Sequence, residues 1–280
     1  MAQARKRLAS ALAAAGKEPS GLEARLLVEG ATGLTSLALV TSAHLKLGKG
    51  PARLLEEFAS RRLSSEPVSR ILGKSGFYGL DLFVEPDVLD PRADTEALVN
   101  AALTQLESMK TSRPLIVDLG TGSGAILCAL LATRPDAFGV GVDFSAAACA
   151  LASKNLAHCG FAERSEVIRG DWTRPLSGSF DLIVSNPPYI SHDEIIRLDK
   201  EVLGHDPKLA LDGGPDGLDA YRRIACELKR LLRVGGAACL EIGWMQAGGV
   251  ASLLASAGFD TPQILQDSGG RDRVAVVHSR

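Results

Sequence analysis

The sequence predicts an α/β protein: a doubly wound, mostly parallel seven-stranded sheet, with a small all-helical domain at its N-terminal side and a β-hairpin linker between them. Three observations predict it. From Pro114 onward, short β-branched runs alternate with stretches of helical period, the pattern of parallel strands covered by helices on both faces. Before about residue 75 the apolar spacing is helical throughout. Between the two, residues 76–84 switch to period two around Gly79. The expected domains are therefore 1–75, helical; 76–90, the hairpin linker; and 91–280, the sheet domain.

Residues 1–16, rich in Arg, Lys, Ala and Ser, share the composition of an organelle transit peptide. They are read here as a surface helix ended by Gly16, with Leu8, Ala11, Leu12 and Ala15 on one face. Ser20-Gly21-Leu22-Glu23 is a capping-box pattern that opens the next helix. Further helices are expected over 36–47 and over 51–64, where Pro51 suits a first turn. No catalytic constellation is present in this part. It reads as a recognition or packing module, and composition alone does not separate that from a stabilising appendage.

Pro91-Arg92-Ala93-Asp94-Thr95-Glu96 opens a helix whose buried stripe is Leu98, Val99, Ala102, Leu103 and Leu106. Strands are then expected over 115–119, 138–142, 166–169, 180–185, 237–242 (after a Gly235-Gly236 turn), 263–266 and 274–278. Helices are expected over 125–133, 146–157, 219–232 and 246–257. In such sheets, ligands bind beyond the C-terminal strand ends.

Composition narrows the function. Of 280 residues, 46% are hydrophobic and 23% charged, ordinary for a globular protein. The 31 basic and 33 acidic residues nearly cancel, so no broad basic surface awaits nucleic-acid phosphates, and no direct nucleic-acid binding is expected. Cys128, Cys149, Cys159, Cys226 and Cys239 form no C-x-x-C pair and suit free thiols in a reducing cytoplasm. The histidines show no ligand spacing, so no metal is expected. No apolar run reaches the length of a membrane span.

The chemistry sits at the strand ends. After the first strand comes Asp118-Leu119-Gly120-Thr121-Gly122-Ser123-Gly124, a glycine turn that lets a ligand approach the backbone and the free N–H groups of the next helix. Its spacing is neither that of dinucleotide enzymes nor that of a P-loop. Asp143 ends the second strand, where a carboxylate suits ribose hydroxyls. Asp171-Trp172 follows the third strand, offering an acceptor for an adenine amino group and a ring for stacking. After the fourth comes Asn186-Pro187-Pro188-Tyr189. Its prolines fix φ and carry no N–H, and Pro187 biases Asn186 away from the helical region. Such a stiff loop can grip both hydrogens of a planar –NH2 group. Taken singly, each feature also reads as an ordinary turn, helix cap or core aromatic. Together, at successive strand ends, they describe one nucleoside site beside an amide or amine site.

This order of motifs resembles the class I S-adenosylmethionine-dependent methyltransferases that act on amino or amide nitrogen. More closely, the chain resembles the HemK/PrmC family. Arg70-Ile71-Leu72-Gly73 with Phe77-Tyr78-Gly79, the 88–96 stretch, Asn186–Ile190, the 210–218 stretch, Glu241-Ile242-Gly243 with Gln246, and Asp272-Arg273-Val274 carry that resemblance across nearly the whole chain. It departs at Asp90, Ala93 and Asp206, where the family usually has Ile, Pro and Glu. The resemblance implies a Rossmann-like fold, a substrate-recognising front domain, and methylation of the glutamine in the Gly-Gly-Gln motif of class I peptide chain release factors. It implies S-adenosyl-L-methionine held by Gly120, Thr121, Gly122, Ser123, Gly124, Asp143, Trp172 and Asn186. Asn186, Pro187, Pro188 and Tyr189 would bind the glutamine, with Asn186, Pro187 and Tyr189 catalytic. The Asn186 side-chain carbonyl and the Pro187 carbonyl would each accept one amide hydrogen, while Tyr189 packs on the amide. The rival readings are a nucleic-acid amino-methyltransferase (adenine or guanine) and a non-catalytic release-factor adaptor.

Overall fold

In the computed structural model, which describes residues 1–41 and 43–280, the chain runs through α1 (Ala2–Ala14), α2 (Ser20–Thr32), α3 (Ser36–Thr41), α4 (Lys49–Leu63) and α5 (Val68–Leu72), then β1 (Lys74–Phe77) and β2 (Leu80–Phe83). After α6 (Glu96–Ser108) strands and helices alternate: β3 (Leu115–Leu119), α7 (Ala125–Thr133), β4 (Phe138–Asp143), α8 (Ala146–His158), β5 (Ser165–Arg169) and β6 (Phe180–Ser185). Two short helices, α9 (His192–Ile195) and α10 (Lys200–His205), precede α11 (Asp219–Leu231), β7 (Leu232–Glu241), α12 (Ala247–Ser256), β8 (Gln263–Gln266) and β9 (Asp272–His278). The chain divides into two units, Met1–Lys74 with Lys200–His205, and Ser75–Asp199 with Asp206–Arg280.

The first unit closes around Leu8, Leu12, Leu27, Val28, Leu55 and Phe58. Leu8 and Leu12 are the buried row of α1, whereas Ala11 and Ala15, expected on the same face, are exposed. The capping box expected at Ser20 does not form. Pro19 is the N-cap, the Ser20 N–H donates to the Glu18 carboxylate at 3.0 Å, and Glu23 is drawn away by Arg62. That buried guanidinium takes both Glu23 oxygens at 2.8 and 2.9 Å and Glu201 at 2.9 Å, tying α2, α4 and α10 together. Truncating it would strand two carboxylates, which makes it the polar keystone of this unit. The helix expected over 36–47 stops at Thr41, whose hydroxyl donates back to the Leu37 and Ala38 carbonyls, and the Ala43 carbonyl accepts from the Ala2 N–H at 3.1 Å. Ser42, inside that expected helix, lies outside the described residues.

In the second unit β1 and β2 form the hairpin, turning through Tyr78 (φ 49°) and Gly79 (φ 76°). The larger sheet has the order β5-β4-β3-β6-β7-β9-β8. Strands β3 to β7 run parallel to one another, and β9 runs antiparallel to both β7 and β8. Alternate residues face opposite layers, as the pleat requires. Ile116, Leu182, Val184 and Cys239 pack toward α6 and α7. Val117, Ile183, Ala238 and Leu240 pack toward α11 and α12. Chain order reverses at β3, whose two neighbours are β4 and β6, so a crevice opens past their carboxyl ends.

The Gly235-Gly236 pair, expected as a turn before a strand, lies inside β7, which starts at Leu232. Pairing with β6 slips there, from Phe180–Leu232 to Leu182–Ala237. A Cβ on Gly236 would sit 2.9 Å from the Asp181 carbonyl oxygen, so only glycine lets the bulge close. The short helices α9 and α10 had no counterpart among the expected elements.

Candidate functional site

The turn after β3 is pinned to the neighbouring strand. The Gly120 and Thr121 N–H groups both donate to the Val142 carbonyl, at 2.8 and 3.0 Å. Gly120 and Gly124 have φ of 73° and 76°, in the left-handed region. A Cβ at Gly120 would press on the Trp172 ring at 3.3 Å, and one at Gly124 on the Ala152 backbone at 3.1 Å. The turn is thus closed tightly enough to bring backbone, not side chain, to the rim.

Beneath it lies Asp118, fully buried, with one oxygen accepting from the Thr121 hydroxyl at 2.7 Å and the other without a partner. Burial pushes its carboxyl up to about 7, more than the Thr121 bond can offset, and Asp143 nearby adds to the rise. An unfolded aspartate ionises near its ordinary value, so the folded form holds an extra proton between the two values. Stability then falls as pH rises through that window. From pH 5 to pH 8 the wild type should lose about 2–3 kcal/mol more than Asp118→Asn, read from denaturant midpoints. Parallel pH dependences would contradict this.

At the end of β4, Asp143 accepts from the Gly122 N–H at 2.9 Å and the Ser145 N–H at 2.8 Å. It braces the glycine turn with one oxygen and the start of α8 with the other. Burial raises its pKa, opposed by those N–H donors. Trp172 has φ 52°, a strained value for a bulky residue, and its ring lies against Gly120. The adjoining Asp171, read as an acceptor for an adenine amino group, is engaged by Arg223 at 2.5 Å and Arg174 at 3.2 Å.

The loop after β6 is held by residues remote in sequence. The Ile190 N–H donates to the Leu211 carbonyl and the Gly213 N–H to the Ile190 carbonyl, at 3.0 and 2.9 Å. Gln246 Nε2 donates to the carbonyls of Tyr189 and Gly217, at 2.9 and 3.2 Å. The 210–218 stretch and Gln246 therefore serve one purpose, stiffening this loop. Asn186 Nδ2 donates to Thr95 Oγ1 at 3.1 Å.

A cavity of about 500 Å³ opens here, within the roughly 300–1,000 Å³ range of small-molecule sites. Of the residues singled out by sequence, Gly120, Thr121, Gly122, Ser123, Asp143, Trp172, Asn186 and Pro188 line it. Gly124, Pro187 and Tyr189 do not. Gly124 starts α7 beneath the turn, Pro187 is buried, and the Tyr189 ring packs into the sheet core beside Glu241 and Arg273. Burial raises the Tyr189 pKa, with Glu241 adding to the rise and Arg273 opposing it. Six carboxylates line the cavity (Asp87, Asp90, Asp143, Asp171, Asp212 and Asp219) against the guanidiniums of Arg92 and Arg223. That balance favours a cationic ligand over a polyanion. Thr95 also lines it, and its motif was recognised in sequence without a role being read for it. Arg223 was missed, because an arginine on a helix face carries no local signal.

Among the described residues no group of His, Cys, Asp and Glu could hold a metal ion, and no helix is long and apolar enough to cross a membrane. All five cysteines are unpaired.

The family model described as "Methyltransferase small domain" matches residues 95–211, and that described as "PrmC N-terminal domain" matches residues 3–73. A release factor glutamine methyltransferase of Caulobacter vibrioides is 43% identical, covering 94% of this chain and 90% of that protein. One of Rhodospirillum rubrum is 44% identical, covering 96% and 82%. Among solved structures, a methyltransferase from Pyrococcus furiosus shares the fold, with a TM-score of 0.54 at 14% identity, over 80% of this chain and 98% of that one.

Proposed function

We propose, from the premise that this chain belongs to the release factor glutamine methyltransferase family, that it methylates the side-chain amide nitrogen of the glutamine in the Gly-Gly-Gln motif of class I peptide chain release factors. The observation that carries this is the meeting of Gly122, Asp143 and Asn186 in one cavity. A braced nucleoside cradle and an amide-gripping loop thereby share one wall. The helical residues 1–75 are proposed as the part that recognises the protein substrate.

The cradle fits S-adenosyl-L-methionine. Gly120 and Gly122 line the cavity with backbone alone, Asp143 offers an acceptor, the Trp172 ring offers a flat wall, and the acidic lining suits a sulfonium. Gly120 to Gly124, Asp143 and Trp172 are the residues proposed to hold it. When bound, the cofactor supplies an electrophilic methyl group.

The protein's work is on the amide. Its nitrogen lone pair is delocalised into the carbonyl, so the site must hold both hydrogens and aim the nitrogen. Asn186 Oδ1 is proposed to accept one hydrogen and the Pro187 carbonyl the other, drawing density onto the nitrogen. Pro188 walls the cavity beside them. Tyr189, whose ring lies in the core, is proposed to contribute by anchoring the loop through its carbonyl bond to Gln246. No strong base is required, because the methylated amide is acidic before it loses its proton. Catalysis rests on positioning and fixed dipoles.

The test is methyl-labelled cofactor supplied with release factor bearing Gly-Gly-Gln or Gly-Gly-Ala, and with ribosomal RNA and DNA in parallel. Label should enter the Gly-Gly-Gln protein alone. Label in both proteins, in neither, or in nucleic acid would contradict the reading.

A further inference from the structure

Asn186 and Glu241 stand side by side. The β6–β7 register pairs Ser185 with Leu240, so the next step places Asn186 opposite Glu241 on the sheet face that packs against α6. Thr95, in the single turn that leads into α6, meets them there. Glu241 is 2% exposed and Thr95 5%. One Glu241 oxygen has no hydrogen-bond partner, while Thr95 and Asn186, both neighbours of the carboxyl, act to lower its pKa against the burial that raises it. A buried acid beside the key amide needs a reason, since burying a charge is costly. The mechanism above gives it none.

The reason lies in how an asparagine amide is oriented. Its two ends are nearly the same size, so the hydrogen-bond network alone decides which end faces a ligand. An ionised carboxylate only accepts. Beside Thr95 it can take the single Thr95 hydroxyl proton, which leaves Thr95 Oγ1 able to accept but not to donate. The Asn186 NH2 group, 3.1 Å away, is the donor that fits. We propose that Glu241 and Thr95 are positioning residues that lock the Asn186 amide with its NH2 group toward the sheet, leaving Oδ1 for the substrate amide hydrogen. This rests on the function proposed above.

A second consequence follows. A protonated Glu241 can donate to Thr95 Oγ1, compete with Asn186, and free the amide to rotate. Burial pushes the Glu241 carboxyl up to about 7. The charged and titratable groups facing it are Arg273 on β9, which lowers that value; Asp94 beside Thr95, which raises it; Tyr189 after β6; and Tyr221 on α11, whose hydroxyl donates to the Glu241 carbonyl oxygen at 2.7 Å. Arg273 is itself paired with Asp94 and Asp267, so it does not neutralise Glu241 outright. The lock is therefore expected to engage as pH rises through neutrality.

The experiment compares the full-length wild type, Glu241→Gln, Thr95→Val and Thr95→Ser. In Glu241→Gln and Thr95→Val, kcat toward release factor should fall about 10²-fold, the cost of a misplaced reacting group. KM for release factor and cofactor affinity should stay within about threefold, far below that fall. Thr95→Ser, which keeps the hydroxyl, should retain most of kcat. Without any substrate, the Asn186 side-chain NH2 resonances should shift with pH in the wild type, with a midpoint near 7, and stay flat in Glu241→Gln. A merely structural Glu241 would lower the thermal midpoint of its variant at pH 8; the positioning role leaves it unchanged or higher. Unchanged kcat in Glu241→Gln, a loss confined to KM or stability, or an identical NH2 titration in that variant would each overturn the proposal. A wild type inactive on release factor would instead remove the functional reading, and the resonance titration would still decide the positioning.

Discussion

Asn186→Ala is expected to reduce methyl transfer by about 10³-fold or more, the scale of losing a fixed dipole aimed at the reacting group. The effect should fall on kcat. Alanine removes the acceptor that holds one amide hydrogen, and the delocalised nitrogen then has no reason to present its lone pair. The fold should survive, because Asn186 is only partly buried and its side chain gives up little more than a hydrogen bond to Thr95. Stability should change by no more than about 1 kcal/mol, as for most partly exposed sites. Near-normal turnover in this variant would reject the mechanism, whatever the fate of the family assignment.

Asp143→Ala is expected to have the next largest effect, on cofactor binding. The Asp143 carboxylate does two things already visible without a ligand: it fixes the Gly122 N–H and it holds the Ser145 N–H at the start of α8. Hydrogen bonds to a charged group are each worth about 1.5–3 kcal/mol. Loss of the brace, together with the proposed ribose contact, should weaken cofactor binding by about 10²–10³-fold. Asp143→Asn keeps one acceptor and should fall between. Calorimetric titration with S-adenosylmethionine reads both. Equal affinity in wild type and Asp143→Ala would place the nucleoside elsewhere.

Much of this architecture was legible because strong periodic signals dominate it. The alternation from Leu115 onward has one stable solution, a parallel sheet with covering helices, and the strand-end motifs then had to gather at one rim. The elements that escaped are those set by long-range contact. Glu23 forms no capping box because the Arg62 guanidinium outbids a local N–H for its carboxylate. The Gly235-Gly236 pair reads as a turn, yet the pairing with β6 slips there, and three carbonyl oxygens within 3.1 Å of where a Cβ on Gly236 would stand leave room only for glycine in the bulge. Tyr189 looked like a ring for the ligand, and the packing of the sheet core claims it instead. Thr95 and Glu241 were visible only as motif letters. Their partnership with Asn186 depends on the β6–β7 register and on where α6 begins, neither of which a linear reading contains.

The central claim is that a transferred methyl and a glutamine side-chain nitrogen meet beside Asn186. The most direct measurement uses S-adenosylmethionine with a ¹³C-methyl group and release factor carrying ¹⁵N in its glutamine side-chain amides. After reaction, the methyl resonance should show one-bond coupling to ¹⁵N, located at the Gly-Gly-Gln glutamine by tandem mass spectrometry. A methyl resonance without that coupling, or a label found on another residue, would contradict the account.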